Sequence, residues 1–494
     1  MALRIHDTRT GKKVAFEPLA PGKVSLYACG TTVYDLCHIG HARKEVAWDV
    51  ITRHLRASGY ELRFVRNITD VDDKIINKAK EEGRTADEVA RHYTEEMQID
   101  FRSLGLAVPD LEPRATEHIA EVIDIIRRLE EKGLAYAAGG DVYYSVPGFT
   151  GYGQLSGQST DDLQAGARIE VDEQKKSPLD FALWKGAKPG EPFWPSPWGN
   201  GRPGWHIECS AMAHRYLGER FDIHGGGADL IFPHHENEIA QSEGAFGIGN
   251  FAHHWMHSGL LTLGGEKMSK SLGNIVTIRK VAETHDLEAL RLLFIGVHYR
   301  SAVGFTLGRD DAGRPVYPEL DDAEARLDYF YTTLAKLIEM TARAPAGDAG
   351  AILPEAEKTL SNFQEAMDDD FNAAAAVGHL YEAFVLANKL LDDPKAAPKD
   401  VRRRTLVRLR GDVLKCGQTL GIFQRDPAGF LTARRDRQCA RLGIDKASVE
   451  GQIQERAAAR VAKDFARADE IRQALRERRI ELMDGPTSTT WRVV

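Results

Sequence analysis

Cys29, Cys209, His234 and Glu238 carry donor atoms that suit a metal ion. His234 and Glu238 stand four apart, a separation that puts both on one face of a helix. Two thiolates, one imidazole and one carboxylate would make a tetrahedral zinc set. The competing reading is plain: isolated cysteines are usually buried hydrophobes and a helical His-Glu pair is usually an exposed contact. No Cys-x-x-Cys pair decides between them, and His235-Glu236 starts no zincin motif. A second group of residues suits phosphate. In His38-Ile39-Gly40-His41 the histidines can donate hydrogen bonds to phosphate oxygens and Gly40 lets a base or phosphate approach the backbone. In Lys267-Met268-Ser269-Lys270-Ser271 two lysines three apart, with two serines, lie between Gly264-Gly265 and Gly273, a pattern suited to clamping and releasing a pyrophosphate. Taken singly, these are also an ordinary histidine-bearing loop and an ordinary basic loop.

The elements that must hold these residues are visible as periodicities. Residues 24–28 form an apolar, β-favouring run ending at Cys29-Gly30, and Val46, Val50, Ile51 and Leu55 follow at helical spacing. Residues 62–67 read as a second strand, so the first unit is βαβ and its sheet parallel. The turn after the first strand then lies at the carboxyl edge of an α/β sheet, where nucleotides bind. Thr69-Asp70 is expected to cap a helix whose first turn Asp70, Asp72 and Asp73 favour through the macrodipole, and residues 86–104 make another helix. Residues 204–217 form a helix again, residues 221–227 a strand running into three glycines that a ligand can approach, and Pro233 opens a helix. The expected fold is α/β: a Rossmann-like catalytic domain in two halves, 1–110 and 199–262, with an insertion at 111–198 that holds a hairpin around Gly139-Gly140. A lysine-loop region at 263–320 follows, irregular over 301–320, then a helical bundle at 321–425 and a small C-terminal domain at 426–494.

Composition bounds the partners. The chain has 494 residues, 43% hydrophobic and 28% charged, ordinary for several soluble domains. Five cysteines at irregular spacings argue against a disulfide framework and for a reducing compartment, and neither an apolar leader nor a membrane-length run is expected, so the cytoplasm is the default. The net charge of -8 speaks against a general nucleic-acid binder, yet residues 426–494 hold 14 Lys/Arg against 11 Asp/Glu, leaving -11 for the rest. Arg456, Arg460, Lys463 and Arg467 follow helical spacing as a basic stripe, with Val461, Phe465, Ala468, Ile471 and Leu475 on the packing side. A solvated helix face is the alternative.

The pair His38-Ile39-Gly40-His41 and Lys267-Met268-Ser269-Lys270-Ser271 matches the two hallmark motifs of class I aminoacyl-tRNA synthetases. The resemblance narrows to cysteinyl-tRNA synthetases through residues 27–41, 66–73, 201–209, 221–241 and 266–274, and runs on to Asp484-Gly485-Pro486 and Thr489-Thr490-Trp491-Arg492. It covers essentially the whole chain. Ser488 stands where the family usually has glycine.

That resemblance implies that Cys29, Cys209, His234 and Glu238 hold one zinc, which binds the substrate thiolate and makes proofreading unnecessary. It implies activation of L-cysteine by ATP, with Mg2+, to cysteinyl-adenylate and transfer to the 3′ end of tRNA(Cys) by a monomer. His38, Gly40, His41, Lys267, Ser269 and Lys270 would bind ATP, with His38, His41, Lys267 and Lys270 catalytic. Thr69, Trp205 and Asp229 are candidates for holding cysteine. Arg456, Arg460, Lys463 and Arg467 are candidates for tRNA phosphates, and Trp491 for base stacking. Two rivals stand beside it: a ligase joining cysteine to an amino sugar in mycothiol synthesis, and a non-catalytic zinc and RNA-binding descendant of a synthetase.

Overall fold

The computed structural model describes residues 2–159, 174–264, 266–267 as backbone, 275–310, 313–342, 350–485 and 489–493. After the hairpin β1 (Arg4–Asp7) and β2 (Lys12–Ala15), strand β3 (Lys23–Thr32) leads to α1 (Ile39–Ala57) and β4 (Glu61–Thr69). β3 and β4 pair in parallel, as the βαβ pattern requires. The strand does not stop at Cys29-Gly30 as expected; it runs on to Thr32, with a register shift between Ala28 and Thr31. Helix α2 (Asp73–Glu82) starts later than the sequence suggested. Its cap is Asp72, which accepts from Lys74 N, while Asp70 accepts from both the N–H and the hydroxyl of Thr116. Helix α3 (Ala86–Ser103) completes the first half.

Residues 119–203 build a separate layer. Helix α4 (Ile119–Glu131) packs beside an antiparallel sheet of β5 (Ala135–Ala138), β6 (Asp141–Tyr144), β7 (Phe181–Gly186) and β8 (Gly201–Pro203). The hairpin turns at Gly139-Gly140, both at positive φ. The core of this layer joins Val122, Ile126, Trp184 and Leu183 to Ile207 and Ala240 of the catalytic half, which seats the insertion against the helices that carry metal-type donors.

Helix α5 (Trp205–Leu217), β9 (Phe221–Gly227), α6 (Glu236–Phe246) and β10 (Ala252–Ser258) return the chain to the main sheet, whose order is β10-β9-β3-β4, all parallel. Chain order reverses between β3 and β9, which makes their carboxyl ends the switch-point crevice of an open α/β sheet. The strands β11 (Leu261–Leu263), β12 (Glu266–Lys267) and β13 (Val303–Phe305) form a small sheet around the lysine segment, with α7 (Ile278–Ala282) and α8 (Leu287–Ile295) beyond it. The segment leaving it is sewn to the histidine motif by backbone: Ile39 N donates to Val276 O at 3.0 Å and Ile278 N to Cys37 O at 3.0 Å.

Residues 301–320, expected to be irregular, contain β13, the short pair β14 (Gly308–Arg309) and β15 (Pro315–Val316), and the start of α9 (Pro318–Thr341). Helices α10 (Pro354–Glu357), α11 (Thr359–Asp368), α12 (Ala373–Asp392) and α13 (Lys399–Leu420) pack with α9 as the bundle the periodicity suggested, Cys416 lying in its core. The last part consists of α14 (Pro427–Leu442), α15 (Lys446–Val461), α16 (Phe465–Glu477) and the hairpin β16 (Ile480–Asp484) with β17 (Thr489–Val493). No helix among the described residues is long and apolar enough to cross a membrane.

Candidate functional site

A cavity of about 290 Å³ opens at the switch point. Its lining comes from strand ends (Gly30, Thr31, Gly227, Ser258), from the histidine motif (His38, Gly40, His41, Lys44), and from Lys74, Trp205 and Asp229. The histidine motif is a helix N-terminus with an unusual cap. His38 Nδ1 accepts from the N–H groups of Gly40 (3.1 Å) and His41 (3.3 Å), and His38 N donates to His41 Nδ1 at 3.3 Å. The rings stack with centroids 3.8 Å apart. With both Nδ1 atoms accepting, the ring protons sit on Nε2, at the positive end of α1.

Four donor atoms converge beneath the cavity. Cys29 Sγ lies 3.6 Å from Cys209 Sγ, 3.4 Å from His234 Nε2 and 3.3 Å from Glu238 Oε1, and His234 Nε2 lies 3.0 Å from Glu238 Oε1. A tetrahedron built on Zn–S bonds of ~2.3 Å and Zn–N/O bonds of ~2.0 Å has edges of about 3.3–3.8 Å; these four edges are close to that, and all four donor atoms lie within 4.8 Å of one another, so the set suits a zinc-sized ion. All four residues are buried. The elements explain the convergence: Cys29 sits near the carboxyl end of β3, Cys209 on the first turns of α5, and Glu238 on the first turn of α6. His234 falls within a π-type turn, Ile231–His235, not on the helix expected from Pro233, and α6 begins only at Glu236. Burial opposes charge on every donor, yet the neighbours impose a pattern: Cys29 is pushed well above the ordinary thiol range, Cys209 is held at about 6 by the Cys29 thiol and His234, and Glu238 at about 2 by His224 and His234. Burial likewise disfavours a charged His234, but Glu238 and Cys209 raise it to about 10.

A second layer, unseen in the sequence, braces these donors. His224 Nε2 bonds Glu238 Oε2 at 2.7 Å, His206 Nδ1 lies 2.9 Å from His234 Nδ1, and Trp205 stacks on the His234 ring at 4.4 Å. His235 Nε2 lies 3.3 Å from Cys29 Sγ, and its Nδ1 is 2.7 Å from His257 Nε2, so Cys29, His224, His235 and Glu238 form an overlapping donor group. Burial keeps His206, His235 and His257 below the ordinary imidazole range, with neighbouring imidazoles adding to it. The only sequence signal for this layer was the density of histidines around 224–257.

Other expectations change. Of the three glycines, Gly225 lies against α1, where a Cβ would come 2.0 Å from the Trp48 ring, and only Gly227 lines the cavity. Trp205, 38% exposed, and Asp229 do line it; Thr69 does not, its buried hydroxyl being donated to Glu208 at 3.1 Å. Ser269 and Lys270 lie outside the described residues, as does the side chain of Lys267. The basic stripe dissolves. Helix α15 ends at Val461, Lys463 takes φ 59°, and Asp464 caps α16, so Arg456, Arg460, Lys463 and Arg467 do not share one helix face. Arg456 is buried in a bidentate pair with Asp484 (2.8 Å twice), Arg460 reaches the same carboxylate at 3.4 Å, and Arg467 is paired with Glu455 and Glu470. Trp491, expected as an open platform, is core at 6% exposure, whereas Val461 and Phe465, expected to pack, are 87% and 62% exposed.

A parallel sheet with a helix-start histidine pair at its switch point defines a class I synthetase-type catalytic domain. The sequence model described as "tRNA synthetases class I (C) catalytic domain" matches residues 15–309, and the DALR domain matches residues 362–424. Solved structures agree on the fold. The Mycobacterium tuberculosis methionyl-tRNA synthetase with methionyl-adenylate superposes with a TM-score of 0.60 at 16% identity, covering 86% of this chain and 96% of that one. Curated relatives match end to end: the cysteine–tRNA ligases of Geobacter metallireducens and Geobacter sulfurreducens are 51% and 50% identical, with 100% of both chains covered in each case. That of an Anaeromyxobacter species is 51% identical, again over 100% of each. The chain belongs to the cysteine–tRNA ligase family.

Proposed function

We infer that the protein activates L-cysteine with ATP and transfers it to the 3′ end of tRNA(Cys). The observation that carries the choice of amino acid is the near-tetrahedral Cys29/Cys209/His234/Glu238 set under the cavity that holds the histidine motif. These four residues would hold a zinc, which supplies a soft Lewis-acid partner that a cysteine thiolate satisfies and a serine hydroxyl does not. His224 and His206 fix the orientations of Glu238 and His234 from behind.

The rest is positioning and charge. The cysteine carboxylate attacks the α-phosphorus of ATP, and pyrophosphate leaves; no protein nucleophile is required. His38 and His41 present Nε2–H donors to the phosphates at the start of α1, Gly40 leaves room for the nucleotide, Lys267 and Lys270 neutralise charge growing on the pyrophosphate and the Ser269 hydroxyl donates a hydrogen bond to it, with Mg2+ accompanying ATP. Trp205 walls the amino-acid side and Asp229 pairs with the substrate ammonium. Thr69 acts one layer back, through Glu208 beside Cys209. A tRNA 3′-terminal ribose hydroxyl then attacks the carbonyl carbon of the adenylate; the new ester bond replaces the acyl–phosphate bond, and AMP leaves with the hydroxyl proton passing to its phosphate. At the far end, the exposed turn with Val461, Lys463 and Phe465 is better suited to meeting tRNA than the buried Arg456 and Trp491. The setting is the cytoplasm and the active form a monomer.

The test is cysteine-dependent ATP–pyrophosphate exchange and charging of a total tRNA pool, with serine and an amino sugar as competitors and zinc quantified in the same sample. Charging with cysteine alone at about one zinc per chain supports the reading. Transfer to the sugar amine without tRNA charging, or no exchange at all, overturns it.

A further inference from the structure

Cys29 sits at a fault in its strand. The register of β3 against β4 shifts between Ala28 and Thr31, so the peptides around Cys29 and Gly30 fall where the ladder lapses. Something else must hold them. On one side Asn67 Oδ1 accepts from Gly30 N at 2.8 Å, and a Cβ at Gly30 would come 1.7 Å from Asn67 O, so that approach admits glycine alone. On the other side Lys44 Nζ donates to Cys29 O at 2.8 Å and to Gly30 O at 3.0 Å.

Lys44 stands three residues after His41 on α1, and its side chain is 13% exposed. Its ammonium has three N–H groups. Two go to the carbonyls, and the third faces Glu45 Oε1 at 3.0 Å; Glu45 is held in turn by Arg66 at 2.5 Å. Although Lys44 lines the same cavity as His38 and His41, two of its donors go to backbone carbonyls and its charge faces Glu45, which argues for a clamp over a phosphate ligand.

We propose that Lys44 is a positioning residue for the metal centre: by tying the carbonyls of Cys29 and Gly30 to α1, it fixes the direction in which Cys29 Sγ meets Cys209, His234 and Glu238. The same tie locks the thiolate donor to the helix whose N-terminus carries the phosphate-binding histidines. The proposal rests on reading the four donors as a metal site.

The test compares Lys44→Met, which keeps the stem and loses every donor, with Lys44→Arg, which keeps charge and donors. The readouts are zinc affinity by competition with a chelator, the absorption spectrum of the Co2+-loaded protein, and KM for cysteine against KM for ATP. Lys44→Met is expected to lower zinc affinity by about 10–100-fold, to alter the thiolate–Co2+ bands and to raise KM for cysteine with KM for ATP unchanged, and Lys44→Arg to recover most of each. Wild-type metal affinity and spectrum with a raised KM for ATP would make Lys44 a nucleotide contact. A lowered Tm alone would make it an ordinary helix–sheet tie; either result overturns the proposal. Should Lys44→Met fail to fold, Lys44→Gln, which keeps one N–H donor group, must show weakened zinc binding, and full affinity there refutes the clamp. The metal readouts need no turnover, so absence of cysteine-dependent exchange in the wild type would count against the proposed function and leave this comparison standing.

Discussion

The start of α1 and the length of α14 use the same raw material, basic side chains three or four residues apart, in opposite ways. At the start of α1, His38 and His41 cap the helix through Nδ1, each accepting from backbone N–H, and both rings line a cavity. Along α14, Arg434, Arg437 and Arg441 are spent inside the molecule. They face Asp328 (3.1 Å), Glu324 (3.6 Å) and Asp321 (2.7 Å) of α9, carboxylates at matching intervals on the opposing helix. Arg437 and Arg425 also converge on Asp286, the cap of α8, and Arg492 of β17 reaches Asp328. Four basic residues after position 425, Arg434, Arg437, Arg441 and Arg492, are therefore the adhesive of a joint. Charge counted along a chain shows where ions are, not whether any remain for a partner.

That contrast can be broken most forcefully in the core of the last part. Trp491→Ala is expected to cost ~3–5 kcal/mol locally, unfolding the β16–β17 region in hydrogen exchange while cysteine-dependent exchange of pyrophosphate persists. Cys209→Ser should do the reverse: metal content falls to background and cysteine activation drops at least about a hundredfold, beyond the usual effect of a residue that merely braces a ligand, with the unfolding profile of the C-terminal helices unchanged. Arg437→Ala leaves Asp286 and Glu324 short of a partner at a site 26% exposed for the arginine; a loss of ~1–3 kcal/mol is expected, read as easier proteolysis between α13 and α15, with tRNA charging impaired more than adenylate formation. Phe465→Ala should change stability by less than ~0.5 kcal/mol yet raise KM for tRNA by about tenfold, the value of one lost stacking contact. Smallest is an acid effect. The Arg456 guanidinium bound to Asp484 holds that carboxyl below the ordinary range, so the pair stabilises above the unfolded carboxylate value of ~3.9 and the contribution is lost as pH falls below it; near-UV circular dichroism of Trp491 reports the change.

The sequence carried the chemistry of the cavity because that chemistry needs fixed residue types, and the parallel sheet because apolar runs of strand length alternate with helical ones. It failed where a tertiary neighbour decides. Nothing local to Gly225 announces the Trp48 ring that demands a glycine there, and nothing near Lys44 announces the carbonyls of Cys29 and Gly30, fifteen and fourteen residues back. The basic stripe at 456–467 failed for a local reason that was available. Asp464 before Phe465-Ala466-Arg467 is an N-cap signal, and it divides the pattern into two helices just after Lys463 at φ 59°. Pro233 suits a first helical turn by residue type, yet the chain makes a π-type turn over Ile231–His235, from which His234, like Glu238 beyond it, reaches Cys29.

The four donors are drawn from positions 29, 209, 234 and 238, with the whole β5–β8 layer between the first and the second. During synthesis, at ~5–20 residues per second, Cys29 therefore waits on the order of ten seconds or more before its last partner leaves the ribosome. For that interval the thiol lacks the burial that Cys209, His234 and Glu238 give it in the folded chain, and a nascent chain is more open to oxidation at Cys29 than the finished protein is.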